Sequence, residues 1–188
     1  MIKDLILKNR SYRRFYEDHK ISNDFLKELV DIARLAPSSR NLQPLRFIIS
    51  SEASKNGIIF KNLAWAAYLK DWTGPVQGER PSAYIIIAGD TSLTSNFSCD
   101  HGIVAQSMLL AAAEKGIGGC MIASVNRKNL AEELNIPLQF EILLVIALGK
   151  PKEIVVIDNF NGDIKYWRDA DQIHHVPKRS LEDLLLNV

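Results

Sequence analysis

The stretch Asp100–Cys120, with the sequence DHGIVAQSMLLAAAEKGIGGC, is the segment around which we expect the rest of the chain to pack. Between residues 103 and 113, only Gln106 and Ser107 interrupt a run of apolar or small side chains. A surface helix has one apolar stripe, whereas a helix that is apolar on almost every side is buried. The stretch therefore predicts a central core helix.

This helix is predicted to run from Asp100 to Lys115, a length of roughly 24 Å. We expect Ser98 to be its N-cap and Gly116 to end it, because glycine readily adopts the left-handed conformation that follows many helices. The segment is shorter than the ~20 apolar residues of a membrane span, and charged residues lie at both of its ends. We expect no membrane partner.

The composition limits the class of protein. A chain of 188 residues fits one domain, residues 1–188, with a sizeable core. Hydrophobic residues make up 47% and charged residues 24%, and the net charge of +1 gives no reason to expect a nucleic-acid partner. Two cysteines, Cys99 and Cys120, are too few for a disulfide framework, and we recognise no signal peptide. We expect reduced thiols and a cytoplasmic location.

The remaining elements follow from apolar periodicity and from turn residues. Unbroken or nearly unbroken apolar runs predict three strands, at Leu45–Ser50, Ser82–Gly89 and Phe140–Leu148. Helical spacing predicts helices at Ile2–Lys8, Asn23–Leu35, Ile58–Leu69 and Arg127–Leu134, with Ser22 and Asn126 as N-caps of the second and fourth. A short strand or turn is expected at Met121–Ala123.

Two basic clusters stand out, one near each end of the chain. Arg10-Ser11-Tyr12-Arg13-Arg14 contains three arginines in five residues, and Lys178-Arg179 is a basic pair. The first cluster is either a solvated patch beside a helix C-terminus or a phosphate site, since guanidinium groups bind phosphate in a bidentate manner. The presence of two clusters without an excess of net charge favours one bound phosphate.

A polar loop, Ala36–Pro44, separates a predicted helix from a predicted strand. Its side chains Ser38, Ser39, Asn41 and Gln43 either contact the polar edge of a planar ligand or satisfy the backbone of the turn itself. A second unusual segment, Gly116-Ile117-Gly118-Gly119, has three glycines, which permit a close approach of the backbone to a ligand. Its spacing differs from that of a dinucleotide fingerprint.

The segment from residue 154 onward differs in character from the rest. His174 and His175 are adjacent, but no Cys, Asp or Glu lies at ligand spacing beside them, so we expect no metal site. Ser180 and Asp183 form a capping-box-like start for a final helix in the LEDLLL sequence.

In combination these segments resemble the FMN-dependent nitroreductase family. The resemblance covers nearly the whole chain and rests on five pieces in order: Arg10-Ser11-Tyr12-Arg13, Ala36–Pro44, Asp100 at the start of the core helix, Gly116–Cys120, and Leu148-Gly149-Lys150-Pro151 with the terminal basic pair. It implies an α+β, nitroreductase-like fold with a central mixed or antiparallel sheet flanked by helices. It also implies an intertwined homodimer in which the segment 154–188 embraces the partner and FMN lies at the interface.

The resemblance assigns cofactor contacts residue by residue. Arg10, Ser11 and Arg13 match the motif that binds phosphate and ribityl, and Lys178 and Arg179 complete the phosphate site. The loop that approaches the flavin from the partner chain is matched by Pro37, Ser38, Ser39, Asn41 and, on the same loop, Gln43. Ala123 and Ser124 match the segment whose backbone meets the flavin ring. The family's usual aromatic residue after Gln-Pro is Leu45 here.

The implied activity is hydride transfer from NADH or NADPH through FMN to a nitroaromatic, a quinone or another small oxidant in a ping-pong cycle. The flavin would carry the chemistry, so we expect no indispensable catalytic side chain. Flavin fragmentation and dehalogenation on the same fold are alternative reactions. A flavin-binding storage or sensor protein without turnover is a non-enzymatic alternative. A third reading treats the basic clusters as contacts to other anions or to nucleic acid, which the near-neutral charge disfavours.

Overall fold

The computed structural model describes residues 1–186. Its main sheet has five strands: β1 (Phe15–Tyr16), β2 (Leu45–Ser50), β3 (Ala83–Asp90), β4 (Gly118–Ile122) and β5 (Phe140–Pro151). The order is β1-β5-β3-β2, β4 also pairs with β5, and all these pairings are antiparallel. The three long strands lie where they were predicted: β2 has the predicted bounds, β3 is shifted by one residue, and β5 runs three residues past its predicted end at Leu148. Strand β4 begins three residues before the strand expected at Met121.

The central helix is α4, Asp100–Glu114, which confirms the predicted core helix. Gly116 has a φ of 73°, so the expected left-handed stop is present. The predicted cap at Ser98 is wrong: Cys99 occupies the N-cap position, and Ser98 itself adopts a φ of 46° in the preceding turn. Gln106 and Glu114 are exposed, so α4 within one chain is not covered on every side.

The core lies on both faces of β3, because all eight of its residues are buried. Residues Ala83, Ile85 and Ile87 pack on one face with α4 and with helix α2 (Asn23–Arg34). On the other face, Tyr84 and Ile86 pack with helices α3 (Ala53–Lys61) and α5 (Arg127–Glu133). The alternation of side chains along a strand divides the core in this way.

The other helices are α1 (Ile2–Lys8), α2 (Asn23–Arg34), α3 (Ala53–Lys61) and α5 (Arg127–Glu133). Ser22 accepts a hydrogen bond from Phe25 N, and Asn126 accepts one from Asn129 N, so both predicted caps are confirmed. The helix expected at residues 58–69 is wrong in its bounds, since α3 ends at Lys61. The chain then turns, with a φ of 40° at Ala66. Among residues 1–186, no helix is long and apolar enough to cross a membrane.

The C-terminal segment forms a second sheet that the sequence did not predict. Strands β6 (Val155–Asn159) and β8 (His174–Lys178) are parallel, and β7 (Trp167–Arg168) pairs antiparallel with β8. Helices and a mixture of sheet pairings confirm the α+β class. Only a 3-10 turn, Glu182–Leu184, replaces the predicted final helix, although Ser180 and Asp183 make the expected reciprocal hydrogen bonds.

A buried carboxylate joins this second sheet to the main one. Glu153, 8% exposed, accepts hydrogen bonds from the backbone N–H groups of Arg13 and Arg14. It also accepts one from Nη2 of Arg168, on β7, at 3.0 Å. The Arg168 guanidinium in turn lies 4.4 Å from the ring centroid of Trp72. Within one chain, then, Arg168 on this second sheet is tied through Glu153 to the segment just before β1. The embrace of a partner by the segment 154–188, whose last two residues lie outside the described range, stays a prediction.

Candidate functional site

The basic segment Arg10–Arg14 lies between α1 and β1 and is held against β4. Tyr12 N donates to the carbonyl oxygen of Gly119 at 3.0 Å, and Ser11 forms a bridge with the same glycine. Glycine is required there, because a Cβ at Gly119 would lie 2.5 Å from Leu109 and 2.7 Å from the Ala147 carbonyl oxygen. The sequence predicted that these glycines let a ligand approach the backbone. At Gly119, however, the space is occupied by Leu109 of the chain's own helix α4.

One of the three arginines is already paired. Arg14 donates from Nε and Nη2 to the two carboxylate oxygens of Glu79, at 2.6 and 2.7 Å. Hydrogen bonding to Arg14 and to Lys152 lowers the pKa of Glu79 to about 2, against the opposing effect of burial. Arg14 therefore has its charge compensated and is not free to bind a phosphate.

Arg10 and Arg13 differ from Arg14, since neither forms a salt bridge with a carboxylate in the described part of the chain. Arg10 donates from Nη2 to the Ile6 carbonyl oxygen, and its buried Nε has no partner among residues 1–186. Arg13 lies over the ring of Tyr166 at 4.8 Å, with Nη1 3.3 Å from Nε2 of His174. Two uncompensated guanidinium groups thus lie on one short segment.

The neutral state of His174 allows this contact with Arg13. His174 is fully buried, and burial together with the charges of Arg13 and Arg168 lowers its pKa from 6.5 to about 4. Near pH 7 the imidazole is therefore uncharged, and its Nε2 can accept a hydrogen bond from Arg13. The sequence motif did not include this histidine.

The second basic cluster, Lys178 and Arg179, lies at the far end of β8, the strand that begins at His174. His174 begins β8 and Lys178 ends it, so their Cα atoms are roughly 13 Å apart. Arg179 lies 4.4 Å from the centroid of the Phe160 ring, and both basic side chains are exposed. No hydrogen bond or salt bridge among residues 1–186 brings Lys178 or Arg179 to Arg13. Their place in a common phosphate site stays a prediction.

The polar loop is fixed to the start of α4. Ser39 N donates to both carboxylate oxygens of Asp100, at 3.1 and 3.3 Å, and Asp100 is only 3% exposed. Gln43 N donates to Ser38 Oγ at 3.1 Å. The loop side chains therefore form hydrogen bonds with the loop's own backbone in part, which is one of the two alternatives predicted from the sequence. A pocket nevertheless opens here, lined by Pro37, Ser38, Gln43 and Asp100 among others.

The loop backbone holds an uncommon conformation. Arg40, Asn41 and Gln43 have φ values of 52°, 56° and 49°, in the left-handed region that non-glycine residues rarely adopt. Conformations of this kind persist when neighbouring contacts determine them, and they concentrate at ligand sites. The side chains of Ser39, Asn41 and Gln43 are exposed and remain available to a ligand.

Ala123 and Ser124 follow β4 directly and are exposed. The Ser124 carbonyl oxygen accepts from Ala64 N at 2.9 Å, and that of Ala123 accepts from Val125 N at 3.0 Å. Their own N–H groups have no backbone partner in the part of the chain that the structure describes. These N–H groups are therefore free to donate to a ligand.

The predicted residues form two groups within one chain. The basic segment contacts Gly119, which packs on Leu109, whereas the polar loop is bound to Asp100, nine residues earlier on α4. Nine residues of helix correspond to about 14 Å. No hydrogen bond or salt bridge joins the two groups among residues 1–186. Within that range, too, no three His, Cys, Asp or Glu side chains could together hold a metal ion.

The five-stranded antiparallel sheet, with helix α4 buried on one of its faces, is a nitroreductase-like fold. The chain belongs to the nitroreductase family, whose sequence profile matches residues 6–150.

Individual relatives agree with this assignment. A putative NADH dehydrogenase/NAD(P)H nitroreductase of Archaeoglobus fulgidus is 29% identical over 169 residues, covering 86% of this chain and 90% of the relative. The structure of a nitroreductase family protein from Streptococcus pneumoniae matches with a TM-score of 0.69 and 22% identity, over 87% of this chain and 96% of that one. An FMN-dependent nitroreductase from Clostridium difficile matches with a TM-score of 0.63 and 24% identity, over 88% and 91%.

Proposed function

We propose that this protein is an FMN-dependent NAD(P)H oxidoreductase that acts as a homodimer and reduces a small oxidant such as a nitroaromatic or a quinone. The observation that carries the proposal is the pair of guanidinium groups, Arg10 and Arg13, that have no carboxylate partner among residues 1–186, while the adjacent Arg14 has one. Bound FMN would supply the redox chemistry, taking a hydride from NADH or NADPH and passing it to the second substrate in a ping-pong cycle.

The residues fit a flavin phosphate. The orphaned Nε of Arg10 and the guanidinium of Arg13 offer charge-assisted donors, and the exposed Ser11 adds a hydroxyl. Lys178 and Arg179 would complete the phosphate site from the end of β8. Ala123 and Ser124 offer backbone N–H groups that have no partner among residues 1–186, and such donors suit the polar edge of the isoalloxazine ring.

A homodimer would supply the rest of the site. Pro37, Ser38, Ser39, Asn41 and Gln43 would reach the flavin from the partner chain, because within one chain their loop is anchored about 14 Å along α4 from the basic segment. Exposed apolar side chains support such an interface: Ile2 and Leu7 on α1 are 62% and 52% exposed, and Leu181 near the C-terminus is 65% exposed.

The protein's own part in the reaction is binding and orientation. The fixed loop conformation and the neutral His174 beside Arg13 would keep the donors in place without a change of protonation near pH 7. We propose no side chain as an indispensable acid or base.

The test begins with the visible spectrum of the purified protein and chromatography of the heat-released chromophore. We expect a yellow protein that releases about one FMN per chain. Apoprotein titrated with FMN should bind roughly 10–100-fold more weakly after Arg13→Gln, since a hydrogen bond to a charged group contributes about 1.5–3 kcal/mol. Lys128→Gln, which removes an exposed charge outside the site, is the control.

Two results would overturn the proposal in different ways. A colourless protein that takes up no FMN would remove the cofactor. A yellow protein that NADH and NADPH both fail to bleach without oxygen would keep the cofactor but favour storage or sensing over turnover.

A further inference from the structure

A pocket on the opposite face of the main sheet has no role in the proposed flavin site. Its wall is formed by α3, by the start of β3 and by the turn before α2, and it shares no residue with the basic segment or the polar loop. Tyr84, which lines it, packs with the core on the α3 side, whereas the polar loop packs on the α4 side. The two pockets therefore lie on different faces of the sheet.

Three of the residues that line this pocket each carry a buried polar atom with no hydrogen-bond partner within residues 1–186: Arg80 Nε, Ser82 Oγ and Tyr84 Oη. Tyr84 is fully buried and Ser82 is 9% exposed. Buried polar atoms without a partner are rare in folded proteins, and each costs about 1–3 kcal/mol. All three residues line the same cavity, which suits a ligand that accepts hydrogen bonds.

The charges of the pocket specify the kind of acceptor. Arg80 and Lys20 both line it, and neither forms a salt bridge in the described part of the chain. The guanidinium of Arg80 lies 4.5 Å from the centroid of the Phe60 ring, a contact that fixes its position but does not neutralise it. Glu17 is the one carboxylate among the lining residues, and it already accepts from Gly78 N.

The tyrosine can act only as a neutral donor or acceptor. Burial raises the pKa of Tyr84 well above its usual value, so the hydroxyl keeps its proton at any physiological pH. Asn56, at the rim, is already engaged, since it accepts from Ser50 Oγ at 2.7 Å and donates to the Ser82 carbonyl oxygen at 2.8 Å. The groups that remain for a ligand can donate hydrogen bonds. The side chains of Arg80, Lys20 and Glu17 together carry one net positive charge.

We propose that this pocket binds a small molecule through a phosphate or carboxylate group held by Arg80, Ser82 and Tyr84, with Lys20 at the entrance. Water could satisfy the two hydroxyls, but it would leave the net positive charge of Arg80, Lys20 and Glu17 uncompensated. The cavity of about 150 Å³ has room for about five water molecules, which is enough for either oxyanion. The proposal does not depend on the flavin or on the proposed reaction.

The experiment titrates the protein, as purified with any flavin it carries, with inorganic phosphate and with succinate. Isothermal calorimetry and thermal unfolding are measured at constant ionic strength, with sodium chloride as the compensating salt. We expect saturable binding of at least one of the two anions. Binding of both anions would indicate general oxyanion recognition, and binding of only one would show whether the pocket recognises phosphate or carboxylate.

The variants Arg80→Gln and Tyr84→Phe should each weaken that binding at least tenfold, and Lys128→Gln should leave it unchanged. Tyr84→Phe keeps the shape of the core and removes a hydroxyl that has no protein partner, so it should fold even if Arg80→Gln does not. The visible spectrum should remain unchanged during the titration, which would distinguish this pocket from the flavin site. Binding equal to that of chloride, or binding that both variants leave intact, would overturn the proposal.

Discussion

The contact between Asp100 and the polar loop allows a quantitative test of how the loop is held. Asp100→Asn replaces a carboxylate that accepts from Ser39 N with both oxygens by an amide with one acceptor. Because the carboxylate is buried and lies in the first turn of α4, we expect a loss of about 1.5–3 kcal/mol in the free energy of unfolding. Equilibrium urea unfolding, followed by circular dichroism, measures this loss.

Ser39→Pro isolates the other partner of that hydrogen bond. Ser39 is the first residue of a 3-10 turn, and Ser38 before it is extended (φ −128°, ψ 157°), so the backbone accepts a proline that lacks the N–H donor. In a double-mutant cycle the two changes should couple by about 1 kcal/mol, because the asparagine amide can still accept from Ser39 N as a neutral hydrogen bond. The matched control, Asp24→Asn in the exposed first turn of α2, should cost only about 0.3–1 kcal/mol. Additivity within about 0.5 kcal/mol would refute the idea that Asp100 fixes the loop.

Further predictions concern pH and glycine. Because the pKa of His174 falls from 6.5 to about 4 on folding, the unfolded chain gains its proton first as the pH falls. Stability should therefore decrease between pH 6.5 and 4, by up to about 1.4 kcal/mol per pH unit, and urea titrations should show a smaller decrease for His174→Phe. Gly57→Ala should stabilise α3 by roughly 0.5–1 kcal/mol, because the added Cβ meets no atom within 4 Å. Gly119→Ala should destabilise the protein by about 1–3 kcal/mol, and equal thermal shifts for both glycine variants would contradict this.

Elements with a strong local signal were predictable from the sequence. Strands β3 and β5 are apolar runs buried on both faces, and α4 is apolar on most sides, so each pattern has few alternative structures. The C-terminal sheet was missed because its strands are short and mixed in polarity. β8 has the sequence HHVPK, and its pairing with β6 depends on residues about 20 positions away.

The residue types of the candidate site were predictable from the sequence, but the pairing of its arginines with carboxylates was not. The motif indicated a cluster of arginines, yet only the fold shows that Glu79, 65 residues away, pairs with Arg14. In the part of the chain that the structure describes, Arg10 and Arg13 have no such carboxylate. Pairing at such a distance has no local signal. The pocket around Tyr84 was hidden for a related reason, because a tyrosine within the run SAYIIIAG is typical of an ordinary buried strand.

The carboxylate of Glu153 lies at a joint between the two sheets. The C-terminal sheet is held there by side-chain contacts, those of Glu153 and of Arg13 among them, rather than by a continuous strand ladder. A unit joined in this way can open without melting the core, as a foldon of lower stability. Amide protons of residues 155–178 should then exchange with deuterium earlier than those of β3. A protease would also find its first cleavage sites there, so the lifetime of the protein in a cell would depend on how often this joint opens.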